Sequence, residues 1–184
     1  MLSAQLDFLD GVLFPQTCDT MQCTADIWRM SSPSFKVITF PLPTVLSGAS
    51  ARTYLMKELH HLAAVIESEL GAPVRDSALR ASIRLYNEQR RLLSELYDRR
   101  ECCTVHQLWS LTLAGMVIPV EEHNALLRTS LEGMKALKHA GDDGPAVILV
   151  GAVLDEPTIP QLISDLGGRV VGDDLCTGSR YFDT

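Results

Sequence analysis

Two of the five cysteines occupy the places where open α/β proteins bind their ligands, in loops beyond the carboxyl ends of strands. Cys18 lies three residues after Pro15, which closes the apolar run VLF (12–14), and Cys176 lies four residues after Gly172, which closes RVVG (169–172). Their loops, PQTCDT (15–20) and GDDLCTGS (172–179), are built from small and polar residues. Such loops leave backbone N–H groups free for cluster sulfides or a bound anion. A thiolate there is a soft metal ligand or a nucleophile. The two thiols are 158 positions apart (176 − 18), so only a folded arrangement could unite them. The competing reading is that all five cysteines are small buried hydrophobes in a metal-free α/β binding module. There is no C-x-x-C pair of the kind that fixes a structural metal.

Other patterns offer less. Cys23 falls on an expected helix, where a packed thiol is the simpler account, and the adjacent Cys102 and Cys103 read as structural. Glu58 and His61 form one E-x-x-H, but a di-iron carboxylate site needs a second such pair and further glutamates, so a solvated helix face explains them better. His123, next to Glu121 and Glu122 at a helix start, is expected to be exposed. His60, His106 and His139 have no metal-ligand spacing between them. The sequence lacks G-x-G-x-x-G, G-x-x-x-x-G-K-[ST] and G-x-S-x-G, so no motif supports dinucleotide binding, NTP binding or a serine nucleophile.

The elements that must position the two loops follow from periodicity. A strand at VLF, a helix over 20–30 with Met21, Ala25 and Trp28 on one face, and a second strand in KVITFPLP (36–43) make a βαβ unit. Leu55, Leu59, Leu62, Ile66 and Leu70 stripe a helix over 51–70 that Gly71 and Pro73 end. Asp76 is placed to cap a helix over 77–100 that turns Leu79, Ile83, Tyr86, Leu93 and Tyr97 inward. A shorter helix covers 105–114. Another follows Pro119 to residue 140, striped by Leu127, Leu131, Met134 and Leu137, with Glu121 and Glu122 at its positive end and Lys135 and Lys138 at the other. After a turn at GDDG (141–144), a strand (145–153), a helix (156–168) and a strand (169–172) make a second βαβ unit.

The expected fold class is therefore α/β: two partial Rossmann-like or flavodoxin-like parallel units, 1–50 and 145–184, flank a helical middle segment, 51–144. Each unit supplies about two strands against a usual four to six, which reads as truncation at both ends. A chain ending mid-domain would expose sheet edges and apolar faces and need an obligate partner.

Composition narrows the function classes. With 46% hydrophobic and 21% charged residues the chain is of the soluble, folded type. Its net charge of −7, with a pI near 5.1, argues against nucleic acid, since the one basic stretch (84–100) carries acidic partners. No apolar run reaches the roughly 18 residues that span a bilayer, and MLSAQLDFLDG has no basic region of a secretion signal. A cytoplasmic location is expected. An odd cysteine count without a secretory context argues against a disulfide framework.

Three stretches carry a family likeness. LDGVLFPQTCDTMQC (9–23), LRASIRLYNEQRRLLSELYDRR (79–100) and LGGRVVGDDLCTGSRYF (166–182) resemble, in order and interval, the 2-hydroxyacyl-CoA dehydratase and benzoyl-CoA reductase family, in particular the D-component-like subunit of 2-hydroxyglutaryl-CoA dehydratase. The last stretch, with its D-D-x-C-x-G-x-R-Y pattern, is the most specific. The resemblance implies an iron–sulfur subunit of an enzyme of anaerobic metabolism, either a lyase or an oxidoreductase, with a [4Fe-4S] cluster held by three cysteines. Cys18 and Cys176 match two of the ligands; the third lies upstream of residue 1, so this stretch alone would be inactive. The implied partners are an acyl-CoA thioester, a sister iron–sulfur subunit and an ATP-dependent activator that delivers one low-potential electron. The implied chemistry is radical, through a ketyl radical anion. A sister role that only relays electrons or acts as a scaffold is the alternative within the family.

Overall fold

A computed structural model describes residues 6, 8–32, 35–71, 73–135 and 144–183. The chain divides into two compact units, 1–75 and 76–184.

In the first unit, β1 (Gly11–Gln16) pairs in parallel with β2 (Lys36–Pro41), from Gly11 opposite Lys36 to Gln16 opposite Pro41. The helix α1 (Asp19–Ser31) connects them. Ala25 is buried on α1, and Trp28 of the same face meets Phe14 and Phe35 edge-on, with ring centroids 5.7 and 5.4 Å apart. This is the expected βαβ unit. It is followed by α2 (Ala49–Leu70), which ends in a left-handed Gly71 whose N–H bonds the Glu67 carbonyl.

In the second unit three helices, α3 (Asp76–Asp98), α4 (Val105–Ala114) and α5 (Val120–Met134), precede the parallel pair β3 (Ala146–Val150) and β4 (Arg169–Asp174), which α6 (Thr158–Asp165) connects. A capping box between Thr104 and Gln107 sets the start of α4. The core joins Leu93 and Leu96 of α3 to Leu127 and Leu131 of α5, with Phe182, near the end of the chain, packed into it. The described residues are thus mixed α/β, with one parallel strand pair in each unit.

Two expectations about packing need correction. Leu79, Ile83 and Tyr86 are exposed, not turned inward; only the later half of α3, including Leu92, Leu93, Leu96 and Tyr97, is buried. Among the described residues, the bonds that α5 makes to α3 begin at Leu85, whose carbonyl accepts from Asn124 at 3.1 Å. Cys23 is exposed rather than packed, because Ala25 and Trp28 define the covered side of α1. Leu137, Lys138, His139 and residues 141–143 of the expected turn lie outside the described residues. No helix among the described residues is long and apolar enough to cross a membrane.

Candidate functional site

Cys18 and Cys176 hold matching positions. The strand β1 ends at Gln16 and β4 at Asp174, so each thiol is carried by the second residue after a parallel strand. Both are exposed. Cys18 belongs to the first unit and Cys176 to the second.

Cys18 is the extended residue (φ −156°, ψ 168°) at which β1 turns into α1. Its carbonyl accepts the first helical bond, from Gln22 N–H at 3.2 Å, and its side chain makes no cap bond, which leaves the thiol to the outside.

The loop around Cys176 is built in more detail. Cys176 N–H donates to the Ala152 carbonyl at 2.8 Å, which ties the loop to the exit of β3. The Thr177 hydroxyl donates to the Leu154 carbonyl and accepts from Leu154 N–H, both at 2.9 Å. The indole of Trp109 donates to that carbonyl too, at 3.2 Å. Beneath the loop, the Asp173 carboxylate accepts from Ser179 N–H at 2.7 Å and Leu175 N–H at 3.3 Å. Gly178 is required there: a Cβ on it would stand 2.0 Å from the carboxylate oxygen. Burial, with the facing Asp173 carboxylate as the second cause, holds the Tyr97 hydroxyl well above the ordinary tyrosine range.

Beyond Cys176, the short 3-10 turn Ser179–Tyr181 projects Arg180 back over the loop. Its Nε and Nη2 clasp the Asp174 carboxylate, the latter at 2.6 Å. Its Nη1 stands 3.3 Å from the Gly151 carbonyl and 3.8 Å from Cys176 Sγ. Hydrogen bonding to Arg180 pulls the Asp174 carboxyl below the ordinary carboxylate range, and the same bond pushes the guanidinium further up.

The turn is anchored by Tyr181 and Phe182. Tyr181 donates to the Gly115 carbonyl at 2.7 Å and meets Gln89 Oε1 at 3.3 Å. Phe182 packs edge-on against Tyr97 with ring centroids 4.7 Å apart. Gln89 in turn meets His123. The Leu111 carbonyl, 2.8 Å from His123 Nε2, can only accept, so Nε2 carries the hydrogen and Nδ1 accepts from the Gln89 amide at 2.8 Å. His123 is fully buried, against the expectation of exposure. Gly115 makes room for the ring: a Cβ there would lie 2.7 Å from His123 Cε1.

The remaining candidates behave as follows. Cys102 and Cys103 are partly buried beside the helical core, and burial, then the neighbouring Cys102, raises the Cys103 thiol. His61 of the E-x-x-H is exposed, as are His60 and His106. Among the described residues no three His, Cys, Asp or Glu side chains gather as a metal site. Sequence reasoning assigned roles only to the two cysteines of these loops. Asp173, Thr177, Ser179 and Arg180 stand in the same stretch and received no role, although Asp, Thr, Ser and Gly at such short intervals are the residues of side-chain-braced turns.

The family model described as 2-hydroxyglutaryl-CoA dehydratase, D-component, matches residues 1–184. The chain belongs to this family. Similar proteins include one of the benzoyl-CoA reductase subunits of Thauera aromatica, 34% identical over 178 residues, covering 94% of this chain and 46% of the relative. The beta subunit of lactoyl-CoA dehydratase from Anaerotignum propionicum is 29% identical, covering 95% of this chain and 47% of its own. The beta subunit of (R)-2-hydroxyglutaryl-CoA dehydratase from Acidaminococcus fermentans is 22% identical, covering 99% and 49%. The chain thus spans about half the length of these family members.

Proposed function

We propose that this chain forms part of an iron–sulfur subunit of a 2-hydroxyacyl-CoA dehydratase or benzoyl-CoA reductase type enzyme, with Cys18 and Cys176 as two of the thiolate ligands. The observation that carries the reading is the equivalent placement of two exposed thiols, each two residues beyond a parallel strand, in a chain of this family. The donor chemistry suits the group. Thiolates are the ligands of iron–sulfur clusters, and both loops keep their sulfur accessible rather than packed. Two thiolates do not fill the ligand positions of a cubane cluster, so the proposed set needs further ligands beyond these two.

A [4Fe-4S] cluster bound there would supply low-potential one-electron chemistry for a CoA thioester. The chain's own residues hold the sulfurs. Cys18 does so from the start of α1, while the bonds to Ala152 and Leu154 tie the Cys176 loop to the exit of β3. A sister iron–sulfur subunit and an ATP-dependent activator are the proposed partners, and a CoA thioester the proposed substrate.

The test is anaerobic purification of the full-length subunit, with iron and acid-labile sulfide counted per chain and acyl-CoA added while the cluster absorption is followed. About one cubane per chain and a spectral change with acyl-CoA support the reading. A full-length protein without iron overturns it, and a loaded protein whose spectrum ignores acyl-CoA assigns the chain the relay role instead.

A further inference from the structure

We propose that Arg180, braced by Asp174, is a positioning residue for Cys176 that donates a hydrogen bond to its sulfur and raises the reduction potential of a cluster held there. The inference rests on the cluster reading above.

The geometry assigns each guanidinium donor a task. Nε and Nη2 are occupied by the two oxygens of Asp174, a fork-to-fork arrangement that fixes the plane of the group. That leaves Nη1 to point between the Gly151 carbonyl and Cys176 Sγ. Asp174 is the last residue of β4 and Gly151 follows β3 directly, so the arginine is referenced to both strands of the pair. The backbone agrees: Gly151 N–H donates to the Asp174 carbonyl at 3.3 Å. Its own attachment is equally firm, because Arg180 sits in a turn that the Asp173–Ser179 bonds tie to β4 and that Tyr181 ties to the Gly115 carbonyl. A surface arginine paired only with a carboxylate would need none of this bracing.

The consequence has a definite sign. A donor to a ligand sulfur withdraws electron density and stabilises the reduced cluster, so it raises the potential, and its loss lowers the potential. The bracing matters because Asp174 nearly cancels the charge of Arg180. What reaches the sulfur is then mainly the oriented N–H rather than a free cation.

The experiment is an EPR-monitored redox titration of the full-length, cluster-loaded subunit and its variants, with iron counted per chain. Arg180→Gln is expected to keep its iron and titrate at a more negative potential than wild type, and Arg180→Lys to fall between them. The decisive variant is Asp174→Asn combined with Arg180→Gln, which removes the pair without changing the net charge. The inference predicts that the downward shift persists in the double variant. A return to the wild-type potential there assigns the effect to the bare Asp174 charge and overturns the hydrogen bond. An unshifted potential in Arg180→Gln overturns it too while the cluster reading stands, whereas a wild-type subunit without iron overturns both.

Discussion

Asp173 and Ser179 bind each other twice: the Ser179 N–H donates to the Asp173 carboxylate and the Ser179 hydroxyl to the Asp173 carbonyl, both at 2.7 Å. This clasp closes the loop that carries Cys176 and joins the end of β4 to the turn that holds Arg180. The clasp therefore helps to set the position of the thiol.

Asp173→Ala should destabilise the second unit by about 2 kcal/mol, since two backbone N–H groups lose their carboxylate acceptor. Urea denaturation measures the loss, and amide exchange should quicken across 175–181. An unchanged unfolding midpoint would remove the clasp from the account.

Gly178→Ala should act on the same feature. The new Cβ displaces a carboxylate already held by its bonds, at a cost of roughly 1–3 kcal/mol. Because both changes break one clasp, the Asp173→Ala and Gly178→Ala double variant should lose less than the sum of the singles, with a coupling of about 1 kcal/mol in a double-mutant cycle. Strict additivity would mean that the methyl group is accommodated elsewhere.

His123→Leu should cost roughly 2–4 kcal/mol, because it strands the Gln89 amide and the Leu111 carbonyl in the interior. Chemical denaturation distinguishes this from the change of a few tenths expected of an exposed histidine. A small effect would restore the solvent-facing reading of the residue.

Alkali should weaken the second unit through Tyr97. Its folded pKa is raised, so the neutral hydroxyl contributes stability that is complete below the ordinary tyrosine value near 10 and is lost as pH rises toward the higher folded value. Stability measured from pH 8 upward should fall beyond about pH 10 in the wild type and less steeply in Tyr97→Phe. Parallel profiles would show that Tyr97 does not carry the dependence.

The elements themselves were legible because their cues are local. Gly71 ends α2, Pro119 precedes α5, and the apolar runs at 12–14 and 145–153 mark the strands β1 and β3. The burial of His123 was less visible, since Glu121 and Glu122 beside it suggest a wet helix start. Yet 123, 127, 131 and 134 lie at steps of four, four and three, so His123 belongs to the same stripe as Leu127, Leu131 and Met134. What no stripe could show is the partner set, because Gln89, Leu111 and Gly115 come from elsewhere in the chain. The exposed half of α3 is the converse case. Leu79, Ile83 and Tyr86 continue the apolar period, but the hydrogen bonds that α5 makes to α3 begin at Leu85 among the described residues. The strand-end placement of the two cysteines was legible in the sequence. Their supports were not, because the roles of Asp173 and Arg180 depend on a turn that folds back on its own strand.

The most direct measurement is iron and sulfide per chain in the full-length subunit, purified anaerobically, for each of the five Cys→Ser variants. The account predicts that Cys18→Ser and Cys176→Ser lose most of the cluster, while Cys23→Ser, Cys102→Ser and Cys103→Ser keep it. Full iron in Cys18→Ser and Cys176→Ser would contradict the assignment of these two thiols as ligands.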